Sequence, residues 1–224
     1  MTTRSRIRVW DLPLRLFHWL LAACVCGAIV TAKIGGTWMV WHERLGTTVL
    51  ALLVFRLVWG FVGPRHARFV SFVRGPRAVL AWLRHPPQAS APGHNPLGAL
   101  SVLAMLLALG LQATTGLFAN DDIAFEGPLA AAVSNATSSL LTGWHRLNEP
   151  VVLGLIALHL SAIVWYRVRR GKNLVGAMIH GDADANSTPG GLPSRDDASI
   201  RLLALALAAA CAAAVIWLVN RGAA

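Results

Sequence analysis

Acidic residues are scarce in this chain. Ten Asp and Glu stand against twenty Lys and Arg, and charged residues of both signs make up only 13% of its 224 residues. Soluble domains carry about a quarter charged residues, so this composition excludes an ordinary water-soluble fold. Cysteine is rare as well. Cys24, Cys26 and Cys211 all fall in apolar stretches, which excludes a disulfide framework and leaves them as small apolar side chains. Hydrophobic residues make up 55% of the chain, and the mean hydropathy is +0.56. Five stretches, about 16–35, 41–62, 97–118, 144–166 and 202–220, are each long enough to cross roughly 30 Å of hydrocarbon. The expected fold is an all-α integral membrane protein seated in a lipid bilayer.

A net charge of +10 would suit nucleic acid if it formed one patch, but it is sorted by segment. Arg4, Arg6, Arg8 and Arg15 precede the first span. Arg65, Arg68, Arg74, Arg77 and Arg84, with no acid among them, lie between the second and third, and Arg167, Arg169, Arg170 and Lys172 follow the fourth. The connection between spans three and four has the opposite character, with Asp121, Asp122 and Glu126 and no Lys or Arg. The positive-inside rule accounts for this sorting without nucleic acid, and places the N-terminus in the cytoplasm and the C-terminus outside. Leu21-Ala22-Ala23-Cys24 has the form of a lipoprotein cleavage site. The apolar run continues past it to Ala32, however, and Asp11 and Pro13 are foreign to a short basic leader.

The connecting segments carry their own signals. Residues 64–96 are too polar to span, yet Phe69, Phe72, Val73, Leu80 and Leu83 recur at helical spacing among arginines, as in a segment lying on the inner leaflet. Pro76 is placed to start its helical part and Pro86-Pro87 to end it. Apolar residues 129–133, after Gly127-Pro128, suggest a short helix over the outer end of the bundle. The Gly/Pro/Ser/Asp-rich segment 181–199 reads as a linker between a four-span domain, 1–180, and a C-terminal helix, 200–224. In that fifth span Ala204, Ala208 and Ala212 form a row of small residues that admits close approach of the bundle or of a partner membrane subunit.

Four histidines fall within spans. His145 and His159 lie fourteen residues apart, which returns to nearly the same helix face roughly 21 Å along the axis. With alternating span directions, His18 matches the depth of His159, and His42 that of His145. A lone histidine in a span is most simply an interhelical hydrogen-bonding group. Two pairs at matched depths point to two bis-histidine haems, each iron bound by neutral imidazoles from facing helices. Zinc would need its ligands converging in one shell, which two separated pairs do not provide. Proton relay would need carboxyls toward the middles of the spans, which carry none. No Cys-x-x-Cys-His run is present for covalent haem attachment.

Haem propionates need cations. Arg56 lies fourteen residues beyond His42 on the same helix, and Arg15 three residues before His18, so both are candidates; Arg44 and Arg146 are candidates at the outer level or interfacial anchors. His66, His85 and His180 read as solvated surface residues. His94, in Gly93-His94-Asn95-Pro96 at the start of the third span, is placed either to cap a helix or to meet a quinone carbonyl.

Several runs then carry a resemblance: Val9-Trp10-Asp11 with Arg15-Leu16-Phe17-His18-Trp19, His42-Glu43-Arg44-Leu45-Gly46, Phe55-Arg56-Leu57-Val58-Trp59-Gly60, Gly93-His94-Asn95-Pro96-Leu97-Gly98, and the pair His145 and His159. In this order, over about 7–182, the chain resembles the bacterial cytochrome b561 family, which includes the diheme cytochrome b subunits of membrane-bound nickel-iron hydrogenases. The resemblance implies a four-helix transmembrane bundle in the inner membrane with two haems b on His18, His42, His145 and His159. It further implies electron transfer between quinone and a periplasmic redox protein such as a hydrogenase, a dehydrogenase or a c-type cytochrome. The fifth span departs from that core. An electron-transfer subunit is the expectation. A stand-alone oxidoreductase joining a small species such as superoxide to quinone, and a non-redox haem-handling membrane protein, are the alternatives.

Overall fold

The computed structural model describes residues 6–85, 93–184 and 192–222. Arg4, the Pro86-Pro87 stop and the middle of the 181–199 segment lie outside the described residues. The chain is helical almost throughout, with α1 Leu12–Ile34, α2 Met39–Val62, α3 Phe69–Phe72, α4 Pro76–Arg84, α5 Pro96–Gly116, α6 Asn135–Arg170, α7 Leu174–His180 and α8 Ala198–Gly222. Helices α1, α2, α5, α6 and α8 are long and apolar enough to cross a membrane. Two compact units divide the chain. One comprises Met1–Leu16, Leu57–Ala104 and Ala157–Leu205, the other Phe17–Arg56, Met105–Ile156 and Ala206–Ala224.

Residues of α1, α2, α5, α6 and α8 share one buried cluster in the second unit, including Cys24, Val49, Leu53, Leu109, Ala113, Val152 and Val215. Gly27 lets α2 approach α1, because a Cβ there would stand 2.9 Å from Leu45 Cδ1. The two helices are joined by a tight turn at Gly35 and Gly36, whose φ of 69° and 56° only glycine adopts without strain. Helix α6 starts well before the expected 144. Ser134 accepts a hydrogen bond from the Thr137 amide, and the hydroxyl of Ser138 donates to Phe118 O at 2.8 Å. The Ser/Thr-rich stretch that reads as loop is therefore the first turns of the helix, with its hydroxyls satisfied locally. The expected short helix at 129–133 is one 3-10 turn, Ala130–Ala132.

The first unit contains structure that no periodicity announces. Strand β1, Arg6–Arg8, pairs antiparallel with β2, Asp182–Asp184. Helix α7 closes just before β2 at Gly181, whose φ is 88° and whose carbonyl accepts from the amides of Val9 and Trp10. A Cβ there would stand 2.7 Å from Trp10 O, so the chains meet only because the residue is glycine. The far end of the 181–199 segment is tied down as well. Asp196 accepts from Arg8 Nη1 at 2.9 Å, the Leu12 amide at 3.1 Å and Arg201 Nε at 3.1 Å. His66, expected to be solvated, is 9% exposed and donates from Nε2 to Leu192 O at 3.1 Å. His85 and His180 are exposed as expected. Helix α4 begins at Pro76, with Leu80 and Leu83 exposed, as expected of a helix lying at an interface.

Asp11 caps α1 and starts it four residues before the expected 16. It is 0% exposed; its Oδ1 accepts from the Leu14 amide at 2.9 Å and Trp59 Nε1 at 3.1 Å. Burial holds this carboxyl above its ordinary range, against those two hydrogen bonds, which pull it down. A carboxyl raised in the folded state contributes stability that is fully present below its unfolded value and is lost as pH rises through the folded one. Asp11→Ala removes a cap and the acceptor of a buried indole N–H, and is expected to cost about 2 kcal/mol. Asp11→Asn keeps an acceptor and is expected to retain most stability while abolishing the decline from acidic to neutral pH. Thermal unfolding in detergent across that range checks both outcomes.

Candidate functional site

The second unit brings two of the four span histidines together. His42, in the first turn of α2, and His145, on α6, present rings whose centroids are 6.0 Å apart at an interplanar angle of 90°. That gap suits a single metal ion bonded at about 2 Å to one nitrogen of each ring. Both rings are held by their other nitrogen. His42 Nδ1 donates to Ala28 O on α1 at 2.8 Å, and His145 Nδ1 donates to Gln112 O on α5 at 2.9 Å. Each bond fixes the tautomer with the proton on Nδ1 and the lone pair on Nε2, the form in which metal-binding histidines occur.

Among the described residues no three His, Cys, Asp or Glu side chains converge as a metal shell. The pair thus offers two imidazole nitrogens, a set that would suit a metal whose remaining ligands come from a macrocycle. A Cβ at Gly46, one turn beyond His42, would meet nothing within 4 Å. At Gly116 the reverse holds: a Cβ would stand 2.9 Å from His145 Cε1, and the missing side chain is the slot that the imidazole fills.

An amide cluster surrounds His145. Gln112 Nε2 donates to His145 O at 3.1 Å and to His145 Nε2 at 3.2 Å, the nitrogen that a metal would take from it. Asn148, 7% exposed, donates to Gln112 Oε1 at 2.8 Å and to Ala108 O at 2.9 Å. Neither Gln112, Asn148 nor Gly116 emerges from a search for ionisable residues. The available signal is an amide side chain in an otherwise apolar span, Asn148 lying three residues beyond His145 on the same face.

The other expected site residues have these settings. His18, half-buried on α1 in the second unit, stands edge-on to Trp19 with centroids 5.1 Å apart. His159 is half-buried on α6 in the first unit. Arg56, in α2, is 2% exposed. Arg15 has protein partners: it donates to Ile179 O at the end of α7 and lies 3.9 Å from Asp196, while its Nε is buried with no hydrogen-bond partner among the described residues. Arg44 sits over the Trp41 ring at 5.2 Å, as an interfacial anchor does, and Arg146 is exposed. Of the two roles open at the start of α5, the cap belongs to Asn95, which accepts from the Gly98 amide at 2.7 Å. His94 packs between Trp10 and Phe72, each at 4.8 Å.

Comparison with known families gives this arrangement its context. The profile of the prokaryotic cytochrome b561 family matches residues 9–181. The chain belongs to this family. It is therefore a membrane b-type cytochrome, an all-α haem b protein of electron transport. Among curated proteins it is similar to the probable Ni/Fe-hydrogenase 1 B-type cytochrome subunit of Escherichia coli K12, 22% identical over 210 residues that cover 77% of this chain and 88% of the relative. It is also similar to the probable Ni/Fe-hydrogenase B-type cytochrome subunit of Rhizobium leguminosarum bv. viciae, 24% identical over 216 residues covering 80% and 89%. No solved structure matches the chain. Helix α8 lies beyond the matched region of this cytochrome.

The slot at Gly116 generates a prediction that concerns packing alone. Gly116→Val places atoms where the His145 ring now lies and is expected to destabilise the protein by about 1–3 kcal/mol, as overpacking does. A thermal midpoint equal to that of the unsubstituted protein would show that the slot is not tight.

Proposed function

We propose that this cytochrome is a diheme electron carrier, in which His42 and His145 ligate one haem and His18 and His159 the other. The observation that carries the reading is the His42–His145 pair, with its rings perpendicular and both Nδ1 protons committed to backbone carbonyls. Held by two imidazoles, a haem iron would have no site left open for oxygen or peroxide. Haem iron, when bound, alternates between ferric and ferrous forms and passes single electrons.

The chain's own residues set the conditions for that transfer. Carbonyl acceptors at Ala28 and Gln112 hold two imidazoles by their Nδ1–H groups and fix their orientation inside a span. Arg56 and Arg15 are assigned to propionates. Arg56 supports this by its burial in an apolar helix, and Arg15 by a buried Nε with no hydrogen-bond partner among the described residues.

Electrons run, in this reading, between quinone at the cytoplasmic level and a periplasmic protein at the outer level, with the N-terminus inside and the C-terminus outside. The sorting of arginines supports the orientation. Hydrogenase is the partner class named for the similar proteins. The acidic connection containing Asp121, Asp122 and Glu126 suits a basic protein surface better than an anion such as superoxide.

The test is a haem count. Purified protein is examined by reduced-minus-oxidised spectra and pyridine haemochrome assay, alongside His18→Ala, His42→Ala, His145→Ala and His159→Ala. Two haems b per chain, falling to one in each variant, is the expected result. Full haem content in both His42→Ala and His145→Ala would overturn the assignment.

A further inference from the structure

His145 is the more elaborately held of the paired histidines. Its ring sits in the Gly116 slot, its Nδ1 donates to Gln112 O, and the Thr115 hydroxyl, which donates to Leu111 O at 2.6 Å, lies 3.4 Å from the same nitrogen. Beside it the side chains of Gln112 and Asn148 form a relay. Asn148 Nδ2 is shared between Ala108 O and Gln112 Oε1, and Gln112 Nε2 is directed at His145. Because Gln112 Oε1 is occupied by a donor, only one orientation of the amide satisfies both ends.

This cluster has a distinct cost and a distinct geometry. Two amide side chains in an apolar bundle are tolerated only when hydrogen-bonded. They join Ala108 and Gln112 of α5 to His145 and Asn148 of α6. Pro150 lies inside α6 two residues further on and supplies no amide to the Arg146 carbonyl. The helix is therefore weakened beside the ligand position, and the Gln112 bond to His145 O reinforces it there.

We infer that Gln112 and Asn148 are positioning residues that fix the rotation of the His145 imidazole and the strength of its Nδ1 hydrogen bond, and so set the reduction potential of the outer haem. The inference rests on the assignment of His145 as a ligand. Donation from Nδ1 to a carbonyl makes the imidazole a stronger base, which favours the ferric over the ferrous form. A clamp that holds the ring onto Gln112 O keeps that potential low. Loosening it lets the ring turn, weakens the bond and raises the potential.

The substitutions are Gln112→Met and Asn148→Leu. Both leave the Gln112 backbone carbonyl in place and remove the side-chain relay. Redox titration and ferric low-spin EPR are recorded on the full chain. The expected result is two haems retained and an upward shift of one midpoint. That shift is a change of threefold or more in the ferrous-to-ferric ratio at fixed potential, roughly half of the about 59 mV that a tenfold one-electron change requires. The largest g value of the same haem moves, because it reports the angle between the axial rings, and the other haem is unmoved. Gln112→Glu, which keeps an oxygen for Asn148 but offers no donor to His145, is expected to shift the same haem. Gln112→Met carries the test where Asn148→Leu fails to assemble. Unchanged midpoint and g values with both haems present would overturn the inference while the ligand assignment stands. Full haem retention in His145→Ala would overturn the assignment itself.

Discussion

An imidazole N–H inside a lipid-spanning helix has no water to bond to, and the helix around it has already used its own backbone donors and acceptors. The second unit solves this with the second lone pair of carbonyls on neighbouring helices. Ala28 on α1 accepts from His42 on α2, and Gln112 on α5 accepts from His145 on α6. Each ring thus joins two helices, and the two rings meet at right angles. One contact therefore relates four helices, and it places each Nε2 by the same bond that satisfies Nδ1. Shifting α1 against α2, or α5 against α6, by one residue would remove an acceptor and misdirect a ring together.

The first unit is organised by charge instead. Burial alone pushes the Asp196 carboxyl up, but hydrogen bonds from Arg201 and the Leu12 amide, with the Arg8 charge, hold it below its ordinary value. Its position in front of Leu12 sets a negative charge at the N-terminus of α1, where the helix dipole favours one. Arg8 bridges Asp196 and Asp182, its Nε lying 2.7 Å from Asp182 Oδ1, and so binds the β1–β2 ribbon to the approach of α8. Arg8 and Arg15, among the arginines whose sorting along the sequence suggests an orientation, are also residues that close this unit.

Five spans and the approach of His42 to His145 were legible because a lipid-spanning helix has one requirement, sustained apolarity at a 3.6-residue period, and polar exceptions stand out against it. Helix α6 was read too short because Ser134, Ser138 and Thr142 look like loop residues. Their hydroxyls bond to Thr137 N, Phe118 O and Ser138 O, which only the fold can supply. The β1–β2 ribbon pairs three residues at each end of a long separation, too few for any alternation to register. Gln112 and Asn148 carry no ionisable group to mark them in the sequence, although an amide in hydrocarbon is under the same obligation to find a partner.

Helix α8 shows how an element outside the family's matched region becomes part of the fold. Of its small-residue row, read as a surface for the bundle or for a partner subunit, Ala204 is 4% exposed and Ala208 and Ala212 are half-buried, while Cys211 and Val215 beside it are 8% and 5% exposed. Val215 belongs to the same buried cluster as Cys24, Leu53 and Val152. The opposite face carries Leu202, Leu205, Ile216 and Trp217, all exposed and apolar as lipid demands. Close packing of small residues needs an initial alignment, since dispersion forces act only at contact. Asp196 supplies that alignment at the start of the helix through Arg201, Arg8 and the Leu12 amide. Charge fixes where α8 begins, small side chains fix how closely it lies, and what it leaves for a neighbour is the apolar outer face.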